Sequence, residues 1–314
     1  MRKARAYREK RSLRKLRKDI WRARHIYLMI LPVVIWFLLF SYWPMYWLRI
    51  SFYDFSLYKG FEGSTFVGFE NFVELFTKRN FLKLIWNALA LNLYSLFVGF
   101  PAPIIFALLL NEMRFRKVKK VVQTVSFLPH FISMVALVTI VKEFLSPTLG
   151  LSADILNFFG KEPVYFLGNA KYFRSIIVFS GISQELGYSA IVYLSALTAL
   201  DMDLYEAAMV DGANRWKRLW HITMPGIMPT VMVMLILRIG SLISTGYEKI
   251  YLLQNSINLG VSEVISTYVY KQGLLKMDYS TGTTAGLFNS VVAFILVFAA
   301  NRLSKLYSES AGIW

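Results

Sequence analysis

Six stretches of this chain stay apolar over about the length that crosses a bilayer as a helix, roughly twenty residues each. They cover residues 26–48, 82–110, 121–145, 173–199, 226–245 and 283–303. No other feature restricts the fold as strongly. A backbone in hydrocarbon must satisfy its own hydrogen bonds, and a helix does so within one segment. The composition agrees, at 56% hydrophobic and 16% aromatic residues. The first run is longer than the apolar core of a signal peptide and lacks a small-residue cleavage site, so it reads as a retained span. Pro32 and Pro44 fall inside it, and Trp36, Trp43 and Trp47 are weighted to its second half, where a bilayer interface favours indole.

Charge sets the orientation. The net charge is +16, and residues 1–24 hold twelve Lys and Arg against Glu9 and Asp19. A basic tail next to an apolar run stays cytoplasmic and leans on anionic lipid, which leaves no need for a nucleic-acid partner. With the tail inside, six crossings return residues 111–120, 200–225 and 302–314 to the same side. Those segments carry Arg114, Arg116, Lys117, Lys119 and Lys120, then Arg215, Lys217 and Arg218, then Arg302 and Lys305. The expected architecture is an all-α membrane protein with six transmembrane helices and both termini cytoplasmic. It divides into a basic tail, 1–24, and one membrane domain, 25–314.

One polar stretch stands apart, the segment DLYEAAMVDGANRWKRLWHITMP at 203–225, between the fourth and fifth spans. Asp203 and Glu206 have the spacing of a capping box. Residues 204–210 make about two turns, and Gly212 stands where a left-handed C-terminal cap belongs. Asn214 is placed to cap a second short helix with Trp216, Leu219 and Trp220 on one face. Pro225 is expected to restart the chain into the next span. The reading is helix, sharp turn, helix, on the cytoplasmic face; an ordinary amphipathic connector would show much of the same pattern.

Glu206-Ala207-Ala208, then Gly212, Ile222 and Met224-Pro225, resembles the EAA loop of binding-protein-dependent ABC importer permeases. Met224 departs from the usual Leu, a swap conservative in volume. Asp211-Gly212-Ala213 and Trp216 extend the resemblance to the carbohydrate-uptake branch. Phe66 to Phe72 (FVGFENF) resembles the family's Phe-Val-Gly-Leu-x-Asn-Tyr segment, with Phe69 and Phe72 as substitutions, and Trp86-Asn87-Ala88-Leu89 resembles the segment that opens its second span. Glu263 to Tyr270 (EVISTYVY), Asp278-Tyr279-Ser280, Ala285-Gly286-Leu287-Phe288 and the closing Gly312-Ile313-Trp314 are similar to the tail of permeases for polysaccharide-derived oligosaccharides. The resemblance implies a type I ABC importer permease (MetI-like) fold in a bacterial cytoplasmic membrane. It implies that Glu206, Ala207, Ala208, Asp211, Gly212, Ile222 and Pro225 form a coupling helix that docks on an ATPase. It also implies several partners: a second homologous permease, two ATP-binding subunits that hold ATP and Mg, an extracytoplasmic solute-binding protein, and an oligosaccharide as cargo. This chain has no GxxxxGK[ST] phosphate loop of its own, and no cofactor is expected in it.

Ionisable residues inside spans are costly and point to function or to pairing. Glu185 lies midway along the fourth span beside Gln184, with Tyr188 following, and Arg238 lies within the fifth. A Glu185–Arg238 pair would hold the two helices together. Alternatively Gln184, Glu185, Tyr188 and Arg238 line a watery cavity for sugar groups, where an Arg suits carboxylates through bidentate pairing. Asn289 in the sixth span, with Asn87 and Asn92 in the second, are weaker candidates for the same cavity, and each also suits interhelical hydrogen bonding. His130, beside Pro129, reads as structural. Gly282 and Gly286 have small-xxx-small spacing.

An enzyme reading finds no support. Cysteine is absent, the histidines are His25, His130 and His221, and neither HExxH nor GxSxG occurs. Two other readings stand beside the oligosaccharide importer. One is the same architecture carrying another solute; the other is a membrane anchor or sensor whose loop recruits a partner without transport.

Overall fold

The computed structural model describes residues 18–19, 21–242 and 246–307. Most of the basic tail, the last residues of the expected fifth span (243–245) and the closing Gly312-Ile313-Trp314 lie outside the described residues. Helix α1, Arg24–Phe37, runs on through a π-turn, Leu38–Tyr42, and a 3-10 segment, Trp43–Phe52, as one span. A two-stranded antiparallel hairpin follows, β1 (Tyr53–Ser56) and β2 (Gly60–Phe66), with Tyr53 opposite Phe66. This hairpin is the one departure from an all-α chain among the described residues. Asn71 explains why the FVGFENF segment sits beside it. Its amide donates to the carbonyls of Ser51 and Tyr53 at 3.0 and 2.9 Å and so locks the exit of the first span.

Helix α2 (Glu70–Thr77) leads to α3 (Arg79–Tyr94) and α4 (Pro101–Glu112), which form one span from Asn80 to Glu112. Pro101 lacks the N–H that would continue the ladder, and the chain takes a π-turn at Ser95–Gly99 just before it. The third apolar run does not make a straight crossing. Helix α5 (Arg116–Phe127) and helix α6 (Met134–Phe144) meet at an angle of 106°. Pro129 sits in the 3-10 turn between them, and Ile132 and Ser133 are extended. Ser133 then caps α6 by accepting from the Ala136 N–H. The described residues thus hold five helices long and apolar enough to cross, and the bent pair makes a sixth candidate.

Helix α7 (Leu151–Phe158) precedes α8 (Ala170–Thr198), the central span, which is followed by α9 (Met202–Val210) and α10 (Arg215–Arg218). From Arg215 the chain stays helical through a π-turn, Leu219–Thr223, into α11 (Met224–Gly240). Pro225 therefore does not restart a helix after a break. It sits in the first turn of α11, and the π-turn before it absorbs the lost hydrogen bond. The fifth span starts earlier than hydropathy suggests, at Arg215, and ends at Gly240. Helices α12 (Tyr247–Leu253), α13 (Leu259–Ser262) and α14 (Ile265–Val269) fold back over the bundle before α15 (Tyr279–Tyr307). Ser280 at the head of α15 bonds the hairpin twice, accepting from Phe55 N–H and donating to the Tyr53 carbonyl, each at 2.8 Å. The Asp278-Tyr279-Ser280 motif thereby pins hairpin to span.

Two apolar cores flank the middle of the bundle. One gathers Ala88, Leu91, Phe173, Ile177, Ile250 and Leu253; the other gathers Ile104, Ala107, Tyr193, Leu194, Leu197 and Ile227. Gly187 makes the closest approach. A Cβ there would fall 2.3 Å from the Ser126 backbone, so α8 and α5 touch main chain to main chain. On α15, Gly282 packs likewise on Gly273, with an added Cβ 2.7 Å from its Cα, whereas Gly286 faces open space.

Candidate functional site: a charged cavity and a helix-turn-helix

Between the two cores lies a cavity of about 680 Å³, walled by α3, α4, α8, α11 and α12. Its polar lining includes Asn92, Ser95, Gln184, Glu185, Arg238 and Lys249. The π-turn before Pro101 brings Ser95 into the wall, where its hydroxyl accepts from the Arg238 guanidinium. Gln184 is buried and donates to the Ile132 carbonyl at 3.3 Å, so it also fastens the bend in the third apolar run.

Of the two readings of Glu185 and Arg238, the ion pair between them is not found among the described residues. The α5–α6 bend instead presents His130 to Glu185, with Nδ1 3.2 Å from Oε2. His130 also lies flat on Tyr188, with ring centroids 3.8 Å apart and planes within 3°. Tyr188 therefore serves this stack, and neither it nor Asn289 is among the residues lining the cavity. Asn87 joins elements instead, donating to the carbonyls of Gly260 and Glu263 at 3.1 and 3.0 Å and accepting from Arg174 at 3.2 Å.

Lys249 is the lining residue that hydropathy gave no reason to single out. It sits on a short helix beyond the apolar runs. Ile250 and Leu253, exposed by only 1% and 2%, seat that helix in the core. The buried Asn258 anchors the loop that follows, donating to the Leu253 carbonyl at 3.1 Å and accepting from Asn255 N–H at 3.0 Å.

The second feature is the polar loop. Asp201, not Asp203, caps α9, accepting from the Asp203 N–H at 3.0 Å. The reason is local: α8 ends at Thr198, and Asp201 is the residue with extended backbone. Asp203 and Glu206 lie inside the helix. At its other end Gly212 takes φ +74°. The Ala213 N–H reaches the Ala208 carbonyl at 2.8 Å, and the Gly212 N–H reaches Met209 at 3.1 Å. That pair of bonds is a Schellman termination, which needs a residue at positive φ. Asn214 caps α10 by accepting from the Lys217 N–H at 2.9 Å. Tyr205 and Thr223 then join α9 to the foot of α11, hydroxyl to hydroxyl at 2.8 Å.

Glu206, Ala207, Met209, Val210, Asp211 and Gly212 are exposed on the outer side of this helix-turn-helix. Ala208 and Ile222 line a shallow cleft between its helices, and Pro225 is exposed just beyond. The segment thus offers a small-residue surface backed by a rigid turn and tied to one span.

The chain has recognisable relatives. Residues 99–308 match the family described as binding-protein-dependent transport system inner membrane component. That match spans the cavity and the helix-turn-helix, and starts after α1 and the hairpin. The polygalacturonan/rhamnogalacturonan transport system permease protein YteP of Bacillus subtilis (strain 168) is 43% identical over 301 residues, 96% of this chain and 94% of that protein. Protein LplB of the same organism is 42% identical over 294 residues, 94% of this chain and 91% of its own. A chain in the crystal structure of a bacterial alginate ABC transporter, in complex with alginate pentasaccharide-bound periplasmic protein, superposes with a TM-score of 0.86 at 41% identity. It covers 93% of this chain and 98% of its own.

The chain belongs to the family of binding-protein-dependent transport system inner membrane components. Within it, the chain is an ABC transporter permease with the helical MetI-like fold, a transport component rather than an enzyme.

Proposed function

We propose that this chain forms half of the transmembrane pathway of an ATP-driven importer for an acidic oligosaccharide, in a bacterial cytoplasmic membrane. The observation that carries the reading is the cavity, whose wall presents Arg238 and Lys249 while its one carboxylate, Glu185, faces His130. Such a wall favours a negatively charged sugar. The relatives' names support it: one permease serves polygalacturonan/rhamnogalacturonan transport, and a structural neighbour belongs to a transporter importing the acidic polysaccharide alginate.

On this reading both termini face the cytoplasm and six spans cross, the bent third run among them. A second homologous permease completes the pathway, and a solute-binding protein delivers the sugar from outside. Two partner ATPases bind ATP and Mg. The surface of Glu206, Ala207, Ala208, Asp211 and Gly212, backed by Ile222 and Pro225, docks on one of them. Closure of the ATPases pushes this surface, and α11 passes the motion to the cavity wall. A ligand shifts a conformational equilibrium only through contacts that differ between the states, and this contact is where ATP supplies the difference. Gln184, Glu185 and Arg238 act in the sugar path.

Mild-detergent purification of the tagged chain from its native membrane, followed by mass spectrometry, tests the assembly. A second permease, an ATPase and a solute-binding protein are expected together. Recovery of the chain with none of these would favour the anchor or sensor reading.

A further inference from the structure

The cavity holds an unbalanced charge. Lys249 is buried, 9% exposed, and no hydrogen bond or ion pair to it is found among the described residues. Its ammonium lies close over α8, with Nζ 3.6 Å from where a Cβ on Gly181 would be. The glycine leaves room for the ammonium to reach the cavity. The guanidinium of Arg238, across on α11, is hydrogen-bonded among the described residues only to the neutral Ser95 hydroxyl. Glu185 is turned to His130 at 3.2 Å. Two cations therefore line one cavity with no carboxylate bonded to either.

Glu185 acts on Lys249 as a nearby charge and not as a bonded partner, and a buried cation with no carboxylate bonded to it is expensive to maintain. The fold nevertheless holds Lys249 rigidly, because its neighbours Ile250 and Leu253 are core residues. A purely structural lysine would be expected to find a carboxylate or a set of carbonyls. We infer that Lys249 is a specificity-determining residue that, together with Arg238, reads the carboxylate of a uronic-acid residue as it passes the cavity. Arg238 supplies a planar fork and Lys249 a point charge. The sugar's carboxylate supplies the bonded anion that Glu185, turned to His130, does not. A neutral sugar would leave both cations unpaired, so the same pair disfavours it. This inference rests on the importer reading above and adds the residue that selects for charge.

The test uses the complete transporter in proteoliposomes with its loaded solute-binding protein and trigalacturonate as the probe. Lys249→Gln keeps length and polarity but removes the charge; Lys249→Arg keeps the charge. Uptake by Lys249→Gln is expected to fall about ten- to a hundredfold, the scale of one lost charge-assisted hydrogen bond. Lys249→Arg is expected to recover most of it. In both variants the thermal midpoint of the complex stays at wild-type level. Wild-type uptake by Lys249→Gln overturns the inference and leaves the importer reading standing. So does equal loss in both variants, or a loss that tracks a fall in thermal midpoint. A wild-type complex that imports no trigalacturonate overturns both.

Discussion

The Tyr205 hydroxyl lies 2.8 Å from the Thr223 hydroxyl, and this one bond ties the short helix α9 to the foot of span α11. Thr223 is buried, and Leu200 packs against Gly226 one turn further on. Arg238 stands near the other end of the same helix, at the cavity. A push on α9 therefore has a direct mechanical route to the cavity wall. Removing the bond with Tyr205→Phe should weaken that joint by about 1 kcal/mol while leaving the fold intact. Sugar imported per ATP hydrolysed should fall several-fold, read by parallel uptake and phosphate-release assays. An unchanged ratio would show that the force travels elsewhere.

Gly212 has φ +74° with open space around its α-carbon, so the constraint there is backbone conformation and not crowding. A β-branched side chain at such a φ costs on the order of 1–2 kcal/mol. Asn tolerates the conformation. Gly212→Val should abolish ATP-driven uptake without preventing membrane insertion, and Gly212→Asn should retain most of it. Uptake assays on matched expression levels separate the two. Normal uptake by the valine variant would remove the turn from the coupling account.

Gly187 poses the opposite problem. A single methyl would meet the Ser126 backbone at 2.3 Å, and neither main chain can move without separating α5 from α8. Gly187→Ala should destabilise the bundle by about 1–3 kcal/mol, the usual scale of overpacking. A lowered thermal midpoint in detergent, with little change in a Gly286→Ala control, is the expected pattern.

Asn258 is fully buried and holds the loop after α12 through the Leu253 and Asn255 backbone. Asn258→Ala leaves those groups unpaired, at a cost of about 1–3 kcal/mol. Protease accessibility of the 246–262 segment should rise. Uptake should fall as well, since the loop steadies the helix that presents Lys249.

The apolar runs made the membrane class and most of the spans legible, because hydropathy over about twenty residues is a strong signal. The turn at Gly212 and the Asn214 cap were legible for a related reason: local backbone chemistry fixes them. The cap at Asp201 was missed in favour of Asp203, since both are acidic and only the extended backbone of Asp201 distinguishes them. The 106° bend near Pro129 was hidden, because a proline inside an apolar run is compatible with a crossing. That bend is what diverts Glu185 from Arg238 to His130. Lys249 was missed because its burial comes from a tertiary fold-back, which no local pattern reports.

The most direct test of the account is ATP-driven accumulation of an oligouronate by the purified complex in proteoliposomes, with solute-binding protein outside and ATP inside. The account predicts accumulation that requires both ATP and the loaded binding protein, and that an excess of unlabelled acidic oligosaccharide competes away. Accumulation without ATP, or competition by neutral oligosaccharides of equal length as strong as by acidic ones, would contradict it.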